Sequence, residues 1–173
     1  WDCYGQLDLA TRQGNRIMRF SPFNTYAAKD GTVAIGAATQ IDWDNLLEVM
    51  DRNDLKDDQN YMNLSWRISN NSDVDAIVAN WTESLPIATI IERCAEREIA
   101  CSPIREARDL VNWKHLQHRQ LLTPIFHPDF PHMEGPLASA FPLKFSDANT
   151  GYETPSAHLG EHNKSVLQAW LDE

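Results

Sequence analysis

The sequence has few glycines and few cysteines, and their placement excludes several kinds of site. Only seven glycines occur among the 173 residues, too scattered to form GxGxxG or a Walker loop around a phosphate. Neither the GxSxG nor the HExxH motif is present. The three cysteines, Cys3, Cys94 and Cys101, form no CxxC pair and no even disulfide framework, which fits a reducing cytoplasm. We interpret each cysteine as a small core residue.

Long apolar runs and an excess of basic residues are also missing. The longest apolar segments, residues 33–38 and 85–91, fall well short of the roughly 18 residues that a membrane-spanning helix needs. The N-terminus shows no signal-peptide pattern, and it begins with Trp1, which leaves a tag, a processing step or an upstream piece open. Fifteen Lys and Arg against 25 Asp and Glu give a net charge of −10. We therefore expect a cytoplasmic protein with neither a membrane nor a nucleic acid as partner.

Apolar spacing and turn residues in the first 104 residues predict a small sheet packed with helices. The Asp30-Gly31 step supplies the positive φ of a tight hairpin turn between two strands. Strands are expected at residues 25–28, 32–37 and 99–104. Helices are expected at residues 42–52, from Ser72 as N-cap, and from Ile87 onward. The predicted fold class is α+β, with a small antiparallel sheet packed with helices.

The last third of the chain reads as a proline-rich extension that ends in a helix. Short helices are expected at residues 105–110 and 112–122. Prolines and glycines then predict loops and short strands over residues 123–154, with one strand at Leu143 to Phe145. A final helix at residues 164–171 is expected to pack Val166, Leu167 and Trp170 inward.

Six histidines raise the possibility of a metal site. Three spacings fit such a site: His115 with His118, His127 with His132, and His158 with His162. Only the last pair has the i, i+4 spacing of a helical ligand pair, and Pro155 and Gly160 disfavour a helix there. We expect surface histidines and no metal, and a metalloprotein stays an alternative that metal analysis can test.

Several short blocks occur in an order that resembles the class III CoA-transferases, the CaiB/BaiF family. The sharpest is the tetrad Leu159-Gly160-Glu161-His162, which lies between Pro155 and the pair Val166-Leu167. The other blocks, in chain order, are Gly14-Asn15-Arg16, Ser21-Pro22, Asp30-Gly31 with Val33 to Ile35, Trp43 with Leu46, Trp81, residues 99–104, His127-Pro128 and Phe141 to Ser146. In the block at residues 99–104, Glu98 and Ala100 stand where the family usually has glycine and proline.

The resemblance implies chemistry that this chain shares only in part. Family members move CoA between carboxylic acids through an aspartyl-CoA thioester, and the aspartate lies upstream of any matching residue. The resemblance therefore implies no catalytic residue here and an inactive isolated chain. It divides the sequence into a linker-like segment at residues 1–14, a small domain at residues 15–104, and a C-terminal segment at residues 105–173 that returns to the large domain. The implied partners are an N-terminal CoA-transferase half or a homodimer, with CoA or acyl-CoA as substrate and no tightly bound cofactor.

One loop carries the candidate site residues that the resemblance implies. Family members have a loop after the second hairpin strand that covers the thioester, and the matching residues are Gly36, Ala37, Ala38, Thr39 and Gln40. Small residues suit a loop that excludes water, and Gln40 can donate a hydrogen bond to a substrate oxygen. Alternatively, the loop is only a connection with Thr39 as the helix N-cap.

The same loop bears on which chemistry of the family is expected. Related α-methylacyl-CoA racemases have a glutamate just after the Gly-Ala of this loop, where this chain has Thr39 and no acid before Asp42. We therefore favour a transferase. A racemase-like fragment and a non-catalytic binding or interaction module on the same scaffold remain alternatives.

Overall fold

A computed structural model describes residues 12–132, 135, 137–151 and 154–171. The chain divides into two compact units, the first ending at Ile104 and the second starting at Arg105. Most of the predicted linker-like segment, including Cys3, lies outside the described residues. The α+β class is confirmed, because small antiparallel sheets pack with helices and a helix ends the described chain. No helix among the described residues is long and apolar enough to cross a membrane.

Unit 1 is built on a three-stranded antiparallel sheet. Strands β1 (Phe23–Ala28), β2 (Gly31–Gly36) and β3 (Ala100–Pro103) lie in that order. Ala28 pairs with Gly31, so the predicted hairpin is confirmed with a two-residue turn. Gly31 has a φ of 153°, and a Cβ added there would lie 2.8 Å from the Ile87 side chain. The turn therefore requires glycine for both its conformation and its close packing.

Five helical segments cover the sheet or connect to it. They are α1 (Gln40–Val49), a 3₁₀ helix (Asn53–Asp57), α2 (Leu64–Ser69), α3 (Asn71–Thr82) and α4 (Ile87–Glu96). The prediction that Ser72 is the N-cap of α3 was wrong. Asn70 is both the C-cap of α2 and the N-cap of α3. Its side-chain amide donates to the Trp66 carbonyl in the last turn of α2. A junction shared by two helices leaves no separate capping signal for the second one.

The core of unit 1 lies between the sheet and these helices. Its fully buried members come from β2, α1, α3 and α4: Val33, Ile35, Trp43, Leu46, Leu47, Val74, Val78, Ile90 and Cys94. The apolar faces predicted for α1 and α4 are therefore confirmed. Burial of each large apolar side chain contributes about 1.5 to 3 kcal/mol.

Helix α4 ends in a Schellman motif that sends the chain into β3. The Glu98 N–H donates to the Ala95 carbonyl, and the Ile99 N–H donates to the Cys94 carbonyl at 2.9 Å. Glu98 has a φ of 57°, the left-handed conformation usually supplied by glycine at this position. Glu98 also replaces the glycine of the family pattern, so the backbone shape persists without the residue that normally provides it.

The described residues of unit 2 form three helices and one two-stranded sheet. These elements are α5 (Ala107–Val111), α6 (Lys114–His118), β4 (Leu122–Pro124), β5 (Leu137–Ser139) and α7 (Asn163–Leu171). The predicted strand at Leu143 to Phe145 was wrong, because β4 pairs with β5 instead. The Leu143 carbonyl accepts a hydrogen bond from the Thr150 hydroxyl at 2.8 Å, which replaces a ladder bond.

Unit 2 does not bury its apolar side chains among its described residues. Of the described residues from Arg105 onward, none is buried. The predicted inward packing of α7 was wrong, because Val166, Leu167 and Trp170 are 45%, 56% and 73% exposed. The helix forms as expected, but no described part of unit 2 covers its apolar face.

Candidate functional site

The predicted site loop connects the end of β2 to the start of α1. Gly36 is the last residue of β2 and pairs with both Phe23 and Ala100. Ala37 is fully buried, and its N–H donates to the Pro22 carbonyl at 3.0 Å. Thr39 and Gln40 are exposed. The loop thus presents its two polar residues outward from a buried base.

Gly36 allows an aromatic ring to lie directly against the backbone. A Cβ added at Gly36 would lie 2.7 Å from Cε2 of Phe23, closer than side chains pack. Phe23 is the first residue of β1, and three atoms of its ring lie 2.7, 3.0 and 3.1 Å from that Cβ position. Glycine at this position is therefore a packing requirement of the loop's first residue.

Thr39 forms a capping box with Asp42. The Asp42 N–H donates to the Thr39 hydroxyl at 3.1 Å, and the Thr39 N–H donates to the Asp42 carboxylate at 2.8 Å. The alternative role of Thr39 as the N-cap of α1 is confirmed. Asp42, the first acid after the loop, is held in position by this cap through one of its carboxylate oxygens.

The side-chain amide of Gln40 is engaged at both ends. Its Nε2 donates to the Asp44 carboxylate at 2.8 Å and lies 3.8 Å from the Met62 sulfur. Its Oε1 accepts from the Arg67 guanidinium at 3.3 Å. The Nε2 group has two hydrogens, so a substrate oxygen can receive the one directed at the weakly accepting Met62 sulfur while the Asp44 contact stays in place.

Arg67 is a fully buried cation near the base of the loop, and no local sequence pattern indicates its burial. Its Nε donates to the Ser21 carbonyl at 2.9 Å, and Nη1 donates to the Tyr61 carbonyl at 2.7 Å. The guanidinium also lies over the Trp43 ring, with Cζ 5.1 Å from the ring centroid. Burial lowers the pKa of Arg67 to about 10, because the charged form loses its hydration.

The Asp75 carboxylate accepts hydrogen bonds from three side chains, one of them in the Gly-Asn block. Its carboxylate accepts from Arg16 Nε at 2.6 Å, Asn24 Nδ2 at 2.9 Å and the Tyr26 hydroxyl at 2.7 Å. Burial, together with the hydrogen bond to Asp75, raises the pKa of Tyr26 far above its usual range. Asp75 in α3 thus connects β1 to Arg16, and such long-range contacts cannot be recognised from sequence spacing.

The Gly-Asn block and the first residue of the loop both line a cavity of about 380 Å³. Its lining includes Asn15, Thr25, Gly36 and Ser102. The Asn15 amide donates to the Thr25 hydroxyl at 2.8 Å, which fixes the block against β1. Small side chains and a few polar groups thus surround an open space at the start of the loop.

Of the histidines, His127 and His158 lie near the same carboxylate, that of Asp129. His158 Nε2 lies 3.0 Å from the Asp129 carboxylate, and His127 Nδ1 lies 3.9 Å from the same group. Within the described ranges, no three His, Cys, Asp or Glu side chains are arranged to hold a metal ion. The tetrad of residues 159–162 is exposed, and the Glu161 carboxylate accepts from the His158 N–H at 2.7 Å.

Comparison with known proteins identifies the family. The model of CoA-transferase family III matches residues 4–163. The succinyl-CoA:mesaconate CoA-transferase of Haloarcula hispanica is 27% identical over 96% of the chain and 40% of its own length. The beta subunit of succinyl-CoA–L-malate CoA-transferase from Chloroflexus aurantiacus is 29% identical over 92% of the chain and 40% of its own length. The chain therefore belongs to CoA-transferase family III.

A solved structure shares the fold. The crystal structure of a CaiB/BaiF family protein from Brucella suis superimposes with a TM-score of 0.69 at 20% identity. The match covers 91% of this chain and 40% of that one. The chain thus spans about 40% of the length of the relatives that it matches.

Proposed function

We propose that this chain supplies the small domain and the C-terminal segment of an acyl-CoA:carboxylate CoA-transferase. The observation that carries the proposal is the family match over residues 4–163, with relatives named as CoA-transferases along nearly the whole chain. The small domain corresponds to residues 15–104 and the C-terminal segment to residues 105–173. Coenzyme A thioesters are the substrates, and a cytoplasmic location is part of the proposal.

The nucleophile of the reaction is assigned to a part that this chain does not match. In the proposed reaction an aspartate carboxylate attacks the acyl-CoA carbonyl and displaces the CoA thiolate, which leaves a mixed anhydride. The thiolate then attacks the aspartyl carbonyl of that anhydride, which forms the aspartyl-CoA thioester and releases the donor acid as a carboxylate. The chain spans only about 40% of its relatives' length, which leaves room for a separate N-terminal half. No residue described above takes the nucleophile's role.

The loop Gly36 to Gln40 is proposed to cover the thioester and keep water away from it. Hydrolysis competes with transfer, so a cover must come close and hold its shape. Two hydrogen bonds support this role. The Ala37 N–H donates to the Pro22 carbonyl, and the Arg67 guanidinium donates to the amide oxygen of Gln40. The loop is thus preorganised rather than ordered only when substrate binds.

A racemase-like role is less well supported by the same loop. Proton transfer at an α-carbon needs an acid or base with a free lone pair or proton. The loop itself contains no acid, and the first acid after it, Asp42, lies inside α1 and accepts the Thr39 N–H as part of the helix cap. The lack of an acid in the loop favours transfer over racemisation.

The apolar surface of unit 2 is proposed to pack against the N-terminal half. Thirteen large apolar side chains among its described residues are exposed, among them Phe126, Leu159 and Trp170. Isolated proteins rarely expose so much apolar surface, and such surfaces mark protein contacts. The family resemblance implies a large domain as the occupant, either in a partner chain or in an intertwined dimer.

A reconstitution experiment tests the proposal. The chain is mixed with a separately expressed N-terminal half of a family III relative that contains the nucleophilic aspartate. We expect the two to co-elute on size exclusion and to transfer CoA from succinyl-CoA to a dicarboxylate, since several relatives are named for succinyl-CoA. Chromatography of the CoA thioesters measures transfer. Absence of both a complex and turnover would falsify the proposal.

A matched pair of variants sharpens this experiment. Trp170→Glu places a charge on the exposed face of α7, and we expect at least a tenfold loss of affinity for the N-terminal half. Lys114→Glu, on α6, changes charge outside that apolar face and serves as the control. Equal loss of affinity in both variants argues against an apolar contact through α7.

A further inference from the structure

The two described cysteines lie side by side in unit 1. Cys94 is in the last turn of α4 and Cys101 is in β3, and Cys101 packs against the buried core cluster that contains Cys94, so that the two thiols interact. Both are free thiols. The sequence spacing gave no reason to pair them, because the six intervening residues form a helix end and a turn.

The backbone fixes this pairing. The Schellman motif at the end of α4 uses the Cys94 carbonyl as the acceptor for the Ile99 N–H, two residues before Cys101. Cys101 in turn pairs with Ile35 in the centre of the sheet. Both sulfur atoms are thus carried by hydrogen-bonded elements, so their contact does not depend on a flexible loop.

The two thiols differ in exposure and acidity. Cys94 is fully buried, whereas Cys101 is half-buried and borders the open cavity. The hydrogen bond from the Cys94 thiol lowers the pKa of Cys101, and the same contact together with burial raises the pKa of Cys94. Because the thiolate is the form that oxidants attack, Cys101 is the first to react.

We propose that Cys94 and Cys101 form a reversible intramolecular disulfide when the protein meets hydrogen peroxide. The Cys101 thiolate attacks one peroxide oxygen and breaks the O–O bond, which gives a sulfenic acid and, after protonation, one water. The Cys94 sulfur then attacks the Cys101 sulfur, its proton leaves with the hydroxide, and a second water forms. Two thiols are oxidised and one peroxide is reduced.

The disulfide would join helix α4 to β3 within the sheet that leads into the site loop. Ala100, next to Cys101, pairs with Gly36 at the start of that loop. The bond therefore reinforces the edge strand β3, which pairs with the central strand β2 at the point where the loop departs. This inference depends only on unit 1 and stands whether or not the chain takes part in CoA transfer.

Peptide mapping of the full chain tests the proposal. A Cys3→Ser background removes the third thiol, and peroxide treatment is followed by alkylation of free thiols and trypsin digestion without reductant. Trypsin cuts after Arg93, Arg97 and Arg105, which places the two cysteines on separate peptides, residues 94–97 and 98–105. We expect these peptides to be linked, with a mass about 2 Da below the sum of the reduced pair. Dithiothreitol should separate them.

Single-cysteine variants identify the order of attack. Cys94→Ala leaves Cys101 alone, and dimedone should trap its sulfenic acid. Cys101→Ala leaves only the buried Cys94, which should stay unmodified under the same treatment. The Cys3→Ser protein keeps both core thiols, so the mapping result stands even if a single-cysteine variant folds poorly.

Three outcomes overturn the proposal. The first is overoxidation of Cys101 to sulfinic acid with no linked peptide. The second is a Cys101-to-Cys101 bond between two chains, seen as a dimer on a non-reducing gel. The third is complete resistance of both thiols to peroxide in the folded Cys3→Ser protein.

Discussion

The two units of this chain differ in what holds their apolar side chains. Unit 1 contains all fourteen buried hydrophobic residues of the described chain, whereas no described residue of unit 2 is buried. Both units nevertheless form regular helices and paired strands. The comparison shows that local patterns suffice to form elements, while a core requires elements that close on each other. Unit 1 carries its own core, whereas the described part of unit 2 leaves its large apolar side chains exposed.

The largest predicted difference between the units concerns two tryptophans. Trp43 is fully buried under Arg67, and Trp170 is 73% exposed. Trp43→Ala should lower the free energy of unfolding by about 3 to 5 kcal/mol, because it leaves a large cavity in the core. Trp170→Ala should change it by less than about 0.5 kcal/mol. Urea unfolding followed by circular dichroism measures both, and equal effects would remove the distinction between the units.

Arg67 should be the next most sensitive position. Arg67→Met fills similar volume but leaves the carbonyls of Ser21 and Tyr61 without their donor, at a cost of about 2 to 3 kcal/mol. Arg108→Met in unit 2 is the matched control, since Arg108 is exposed and its ion pair among the described residues is with Glu106, also exposed. Denaturant unfolding compares them. A stable Arg67→Met protein shows that the buried cation is dispensable for the fold.

Alkaline pH should weaken unit 1 through Tyr26. The folded state holds the Tyr26 proton more tightly than the unfolded state, because burial and Asp75 raise its pKa. The stabilisation is fully present below the unfolded pKa of about 10 and declines above it by roughly 1.4 kcal/mol per pH unit. The stability difference between the native protein and Tyr26→Phe should therefore shrink as the pH rises above about 10. A constant difference between pH 9 and pH 11 contradicts this assignment.

The capping box should give a smaller effect at the edge of the site loop. Thr39→Ala removes the hydroxyl that accepts from the Asp42 N–H and should cost about 1 kcal/mol. Thr39→Ser keeps that acceptor and should recover most of the loss. Thr150→Ala in unit 2, which loses one exposed bond to Leu143, should cost less. Thermal unfolding separates the three variants, and equal values for Thr39→Ala and Thr39→Ser would rule out the cap as the cause.

The smallest predicted change is a gain in stability at the end of α4. Glu98 has a left-handed backbone conformation that costs a non-glycine residue about 1 kcal/mol or more. Glu98→Gly removes this cost but makes the unfolded chain more flexible, so a net gain of about 0.5 kcal/mol is expected. Glu96→Gly, inside the same helix, should instead destabilise the protein. A loss of stability in both variants shows that Glu98 makes compensating contacts.

Local signals account for what the sequence predicted well. The Asp30-Gly31 turn and the spacing of Ile87, Ile90 and Cys94 are complete within a few residues, so the hairpin and α4 were found. The site loop was located through its order after the hairpin. The role of Thr39 as a cap was recognisable because its partner Asp42 follows three residues later.

Long-range contacts account for what the sequence did not predict. Arg67 reaches Ser21 across 46 positions, and Asp75 reaches Arg16 across 59. No residue near either one indicates its partner, because charged side chains in helices usually face water. The inward packing expected for α7 failed for a related reason, since an apolar helix face specifies burial but does not specify by what.

The exposed indole of Trp170 gives the chain a built-in optical reporter. An indole in water emits at longer wavelength than one in an apolar contact, and Trp43 is already fully enclosed within unit 1. Any partner that covers α7 should shift the Trp170 emission to the blue while the Trp43 contribution stays constant. The chain has six tryptophans, so the Trp170→Phe variant, which keeps the other five, supplies the blank against which association of the unlabelled chain is followed.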